Sequence, residues 1–100
     1  MELFAIRRRS AWADAAELES TAAKSARIGD QEMSDQVRWI RSYVVAETDG
    51  RLGTICIYQA RDAASLREHA ARVGMPAEEI ESIANTVVVR PDPAPAAVNA

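Results

Sequence analysis

Two runs rich in β-branched and aromatic residues, VRWIRSYVVAE and TICIYQA, flank the polar segment TDGRLG. The Asp49-Gly50 pair in that segment marks a tight hairpin, because its residue types tolerate the left-handed backbone that such turns need. The centre of the chain is therefore held as two antiparallel strands, and the rest must be arranged around them. A lone hairpin is marginal in water; it needs further strands or a helix to cover an apolar face.

The flanking sequence supplies both. ELFAIRRR is short and apolar enough for a mostly buried strand. AWADAAELESTAAKSARIG follows Ser10 and is rich in Ala, Glu and Leu; Ala15, Leu18, Ala22 and Ala26 fall on one helical stripe, with Gly29 as the stop. DQEMSDQ reads as a polar connector. Beyond the hairpin, Asp62 is a helix cap ahead of AASLREHAARV, and Gly74 ends that helix. Pro76 then opens a second short helix through AEEIESI, and TVVVR makes a last strand. The order strand, helix, strand, strand, helix, strand is the ferredoxin-like βαββαβ arrangement: an α+β fold with a four-stranded antiparallel sheet and two main helices on one face. The expected domain covers residues 1–92, with a Pro/Ala tail at 93–100.

Strand side chains alternate between faces. One set reads Phe4, Ile6, Ile40, Val44, Ile55, Ile57, Val87 and Val89; the other reads Leu3, Ala5, Trp39, Arg41, Tyr43, Cys56, Tyr58 and Val88. Helices cover only one face. The set rich in Trp, Tyr and Arg carries the residue types favoured at interfaces, so a sheet-to-sheet homodimer, a dimeric α/β barrel, is expected to bury it. A single bulge exchanges the two sets.

Composition narrows the partners. The net charge of −3 argues against general nucleic-acid binding. The cluster Arg7-Arg8-Arg9 reads as a solvated strand edge. Nothing approaches the roughly 20 apolar residues of a membrane span, and MELFAIRRRS lacks the apolar stretch of a signal peptide. One cysteine makes no internal disulfide, which suits a reducing cytoplasm. The expected protein is cytoplasmic, bound to neither membrane nor nucleic acid.

The single Cys and single His are Cys56 and His69. With about 1.5 Å of rise per helical residue and about 3.3 Å per strand residue, a helix running back over its preceding strand brings His69 level with Cys56. A thiolate and an imidazole are natural ligands for nickel or another divalent transition metal, though two donors need completion by Tyr43, Tyr58, Glu17 or a second subunit. The plain alternative is a small buried hydrophobe and a hydrogen-bonded helix-flank histidine that never meet.

The stretch from Val37 to Ile80 resembles a bacterial family of unknown function with a dimeric ferredoxin-like α/β fold, some members of which are nickel-binding or nickel-responsive. The resemblance runs from the first strand to about Asp92. It is carried by Trp39 with Ser42-Tyr43, Cys56-x-Tyr58-x-Ala60, Glu68-His69-Ala70 and Gly74-x-Pro76. It implies that Cys56 and His69 belong to the family pattern, and it favours a small metal-binding, nickel-linked protein. Two alternatives stand beside it. One is a cofactorless enzyme or small-molecule binder, of monooxygenase or isomerase type, with Trp39, Tyr43, Tyr58 and His69 lining a pocket between helices and sheet and His69 as acid-base. The other is a structural or regulatory dimer without a site.

Overall fold

In a computed structural model, residues 1–95 are described. Of the tail expected at 93–100, residues 96–100 lie outside them. The elements are β1 (Glu2–Trp12), α1 (Ala15–Glu32), β2 (Val37–Ala46), β3 (Leu52–Ala60), α2 (Ala63–Val73) and β4 (Glu79–Ser82). The sheet order is β2-β3-β1-β4, with every pairing antiparallel. This is the expected ferredoxin-like βαββαβ topology.

The hairpin closes with the Glu47 amide on the Arg51 carbonyl at 3.0 Å. Asp14 and Asp62 cap the helices, accepting from the Glu17 and Ser65 amides at 2.9 and 2.8 Å. Gly74 ends α2 in the left-handed conformation at φ 90°, which glycine adopts without steric cost.

Three boundaries differ from the sequence reading. β1 continues to Trp12 and α1 starts at Ala15, because Asp14 caps it and the Trp12 indole turns in to donate to Thr21 Oγ1 at 2.9 Å. Gly29 does not stop α1, which runs on to Glu32. The last strand is not TVVVR but Glu79–Ser82, inside the segment expected to be helical. Only four residues separate Gly74 from Glu79, so the chain reaches the β1 edge at once. There Ile80 pairs with the fully buried Ile6, and Glu79 pairs with exposed Arg9 at 2.8 Å. Tertiary pairing overrides the helical propensity of AEEIES. Val87, at 88% exposure, and its neighbours Val88 and Val89 stay outside the sheet.

The face assignment is also corrected. Phe4 lies opposite Tyr58 and Ile6 opposite Cys56, so residues from both expected sets share the helix-covered face. The register of β2 shifts between Trp39 and Arg41; Trp39 therefore points to the helices, while Arg41 and Tyr43 point away. The core joins Phe4, Ile6, Cys56 and Tyr58 to Ile28 and Met33 near the end of α1 and to Leu66 and Val73 of α2. Ala5, Arg7, Arg41, Tyr43, Ile55 and Ile57 face the uncovered side.

Candidate functional site

A cavity between sheet and α1

The middle of the helix-covered face is a row of paired positions. Arg8 and Val44 flank Thr54, Ile6 and Ser42 flank Cys56, and Phe4 and Trp39 flank Tyr58. Above them α1 presents Leu18, Thr21, Ala22 and Ser25, mostly small side chains that do not fill the space between layers. The result is a cavity of about 240 Å³, just below the usual 300–1,000 Å³ of small-molecule sites. Trp12, Cys56 and Tyr58 form its buried walls, and exposed Glu19 and Val44 its rim.

The walls are held by specific contacts. Trp39 stacks on Tyr58 with ring centroids 6.3 Å apart and planes inclined 17°, and its indole N–H donates to Ser42 Oγ at 2.8 Å. The Cys56 thiol meets Thr54 Oγ1 at 3.2 Å. Burial pushes the Tyr58 phenol above its ordinary value, against the opposing charge of Arg8. The ring therefore stays neutral at physiological pH.

Arg8 is the residue that the sequence reading missed. Expected on a solvated edge, it is 1% exposed and lines the cavity. Its neighbours behave differently: Arg7 holds Glu47 through two bonds of 2.9 and 3.0 Å, and Arg9 holds Glu79. Alternation sends the middle arginine inward. Its Nε donates to the Pro76 carbonyl at 2.6 Å, and its guanidinium carbon lies 5.9 Å from the Tyr58 ring centroid. Both terminal nitrogens are buried without a hydrogen-bond partner, and no carboxylate pairs with them among the described residues.

His69 and the expected donors

His69 is not on the flank of α2. It points inward, 1% exposed, and its Nε2 lies 3.1 Å from the Ser25 carbonyl of α1. A carbonyl only accepts, so Nε2 carries the proton in the neutral ring and Nδ1 keeps its lone pair. Nδ1 is buried and unpartnered. Burial lowers the imidazole pKa below its ordinary value, outweighing the Ser25 bond, and the charges of Arg8 and Arg72 add to the depression.

His69 lines a second, smaller hollow of about 80 Å³ with Gly29, Val37, Trp39 and Tyr58. Cys56 lines the first. Tyr58 and Trp39 border both and form the partition. Trp39, Cys56, Tyr58 and His69 thus share the helix-covered face, while Cys56 and His69 open onto different spaces. Tyr43 lies on the opposite face, 43% exposed, with its hydroxyl on Asp92 at 2.7 Å.

The class defined by these features is a ferredoxin-like α+β protein with an apolar cavity between its sheet and first helix. Residues 4–83 match the sequence model of the family described as nickel responsive protein SCO4226-like, and the chain belongs to that family. No curated protein matches the sequence. Among solved structures, the crystal structure of SCO4226 from Streptomyces coelicolor A3(2) superposes with a TM-score of 0.69, covering 85% of this chain and 99% of that chain at 14% identity. That likeness is one of fold.

The family name raises nickel, and the donor set can be compared with it. Among the described residues no three His, Cys, Asp or Glu side chains gather where they could share an ion. His69 offers one nitrogen, and Cys56 faces another hollow. Divalent nickel needs several N, O or S donors in a defined geometry, so the described residues of one chain do not form a nickel centre.

Proposed function

We propose that this chain is a small-ligand-binding protein of a nickel-linked family, with the α1 cavity as its working site. The observation that carries this reading is the cavity itself: a preformed apolar space walled by Trp12, Trp39, Cys56 and Tyr58. Its walls are largely apolar and it opens at a rim marked by Glu19 and Val44, so an apolar body entering it displaces water that finds few hydrogen-bond partners there. Titration with a neutral aromatic such as benzyl alcohol, followed by amide NMR, tests it. The expected result is saturable shifts centred on Trp39, Cys56 and Tyr58, lost in Ala22→Phe, which fills the cavity from the helix side. Shifts scattered over the surface, or none at millimolar concentration, contradict it.

The protein acts, in this proposal, as a cytoplasmic homodimer. Tyr43, Ile55 and Ile57 form an apolar area on the uncovered face, and the β-prone Val87-Val88-Val89 has nothing to bury within one chain.

A second reading is nickel binding through Cys56 and His69, favoured by the family and by the orphaned Nδ1 of His69. It requires further donors from a second copy. Titration calorimetry with nickel on the wild type, His69→Ala and Cys56→Ser tests it. Binding lost in both variants supports it; no binding tighter than about millimolar, worth about 4 kcal/mol, removes it.

A further inference from the structure

The polar groups around the α1 cavity are engaged within its own wall. The Trp12 indole N–H donates to Thr21 Oγ1 at 2.9 Å, and that hydroxyl donates to the Glu17 carbonyl at 3.1 Å. The Trp39 indole N–H donates to Ser42 Oγ, and the Cys56 thiol to Thr54 Oγ1. Arg8 gives its Nε to the Pro76 carbonyl. Its terminal nitrogens, like Ser25 Oγ, are sealed inside the protein and do not open into the space. The inner surface is accordingly almost wholly apolar.

We propose that the cavity takes a neutral, one-ended ligand: a ring-sized hydrocarbon body, with any hydroxyl or other polar group confined to the end left at the mouth. The proposal rests on the cavity being a ligand site, and it names the ligand class. A polar group carried inward gives up its water and meets no free donor or acceptor, which weakens binding whichever way it turns. A charged group loses more. The mouth differs from the interior. Glu19 and Val44 stand exposed there, so a hydroxyl at that end keeps its hydration.

Size sets the body of the ligand. A dry apolar cavity of about 150 Å³ holds a benzene ring, so about 240 Å³ holds one ring with short substituents. The fold sets its direction. Trp12, Cys56 and Tyr58 are the buried walls, and the rim between α1 and β2 is the exposed side, so the ring enters first. Each bonded polar group of the wall has its partner before any ligand arrives. Turning one toward a ligand breaks an existing bond, so rejection of inward polar groups is built into the free protein.

The test uses two isomeric diols, 1,2- and 1,4-benzenedimethanol, with o- and p-xylene as controls for shape. All four are titrated into the wild-type protein and followed by NMR at the Trp12 and Trp39 indole N–H groups. The 1,2-diol can leave both hydroxyls at the mouth, whereas the 1,4-diol must carry one inward. The xylenes are expected to bind within about threefold of each other. The 1,2-diol is expected to bind at least tenfold tighter than the 1,4-diol, about 1.4 kcal/mol, with its methylene protons close to Glu19 and its ring protons close to Trp12. A diol preference no larger than that of the xylenes overturns the proposal and leaves the cavity reading standing. Exclusion of p-xylene while o-xylene binds also overturns it, because shape then sets the preference. Failure of all four to bind at millimolar concentration removes the cavity reading as well.

Discussion

The Tyr58 ring meets the His69 imidazole edge-on, with centroids 5.8 Å apart and planes inclined 62°. This contact ties α2 to the middle of the sheet, and the bond from His69 to the Ser25 carbonyl ties α2 to α1. His69 is therefore a joint between layers, and Tyr58 is the partition between the two hollows. Changes at either residue act on stability and on the site together.

His69→Ala removes a ring from the core, exposes the edge of Tyr58 and takes from the Ser25 carbonyl the contact it makes beyond its own helix. The combined loss of packing and of a buried hydrogen bond is expected to cost about 2–4 kcal/mol. Urea denaturation checks it. A change below about 0.5 kcal/mol would mean that the ring does not occupy this position.

The depressed pKa of His69 gives a pH dependence with a definite sign. The unfolded chain takes up a proton near the ordinary value of 6.5, while the folded chain resists it. The stabilisation is complete above that value and is lost as pH falls through it toward the folded value. The lowered carboxylates, Glu47 and Asp62 among them, begin to contribute only in the more acidic range around their ordinary values of 4.5 and 3.8. Urea midpoints between pH 7.5 and 5 are thus expected to decline in the wild type and to stay nearly flat in His69→Phe. Parallel slopes contradict the account.

Gly53 stands where β3 passes the bent part of β1. A Cβ there would come within 2.5 Å of the Arg8 carbonyl oxygen and closer still to Glu47. Gly53→Ala is expected to destabilise by about 1–3 kcal/mol, the range for forced overpacking, and to disturb the Arg7–Glu47 pair. Thermal unfolding measures the first effect and the Arg7 side-chain resonances the second.

Ile55 and Trp39 separate the two faces. Ile55→Asp alters the uncovered side, so it is expected to leave monomer stability within about 0.5 kcal/mol and to weaken self-association. Trp39→Glu puts a charge against Tyr58 in the core, so it is expected to unfold the chain rather than dissociate a dimer. Light scattering with circular dichroism distinguishes the outcomes. A wild type that runs at 10.9 kDa at micromolar concentration contradicts the dimer.

The elements that were legible in the sequence are those with local signals. Asp49-Gly50 fixed the hairpin, and Asp62 and Gly74 bounded α2. What was not legible depends on pairing between distant segments. The register shift after Trp39 decides that Tyr43 leaves the face that Tyr58 occupies, and no residue type announces it. The same holds for β4, where partnership with β1 outweighs the helical pattern of AEEIES. Arg8 could have been found by alternation from Phe4 and Ile6, since every second residue of β1 turns inward; the charge of the Arg7-Arg8-Arg9 cluster masked it. Element rise brings Cys56 and His69 to one height, but spacing does not contain the side of the sheet that Cys56 faces, nor the bulk of Tyr58 and Trp39 between the two hollows.

The central claim is a preformed apolar cavity between sheet and α1, and pressurising crystals of the protein with xenon tests it most directly. Xenon enters dry apolar cavities and avoids sites filled by hydrogen-bonded water. The expected result is a xenon peak bounded by Trp12, Ala22, Cys56 and Tyr58, absent in Ala22→Phe. A closed wall of side chains there, or a chain of ordered waters that xenon does not displace, would contradict it.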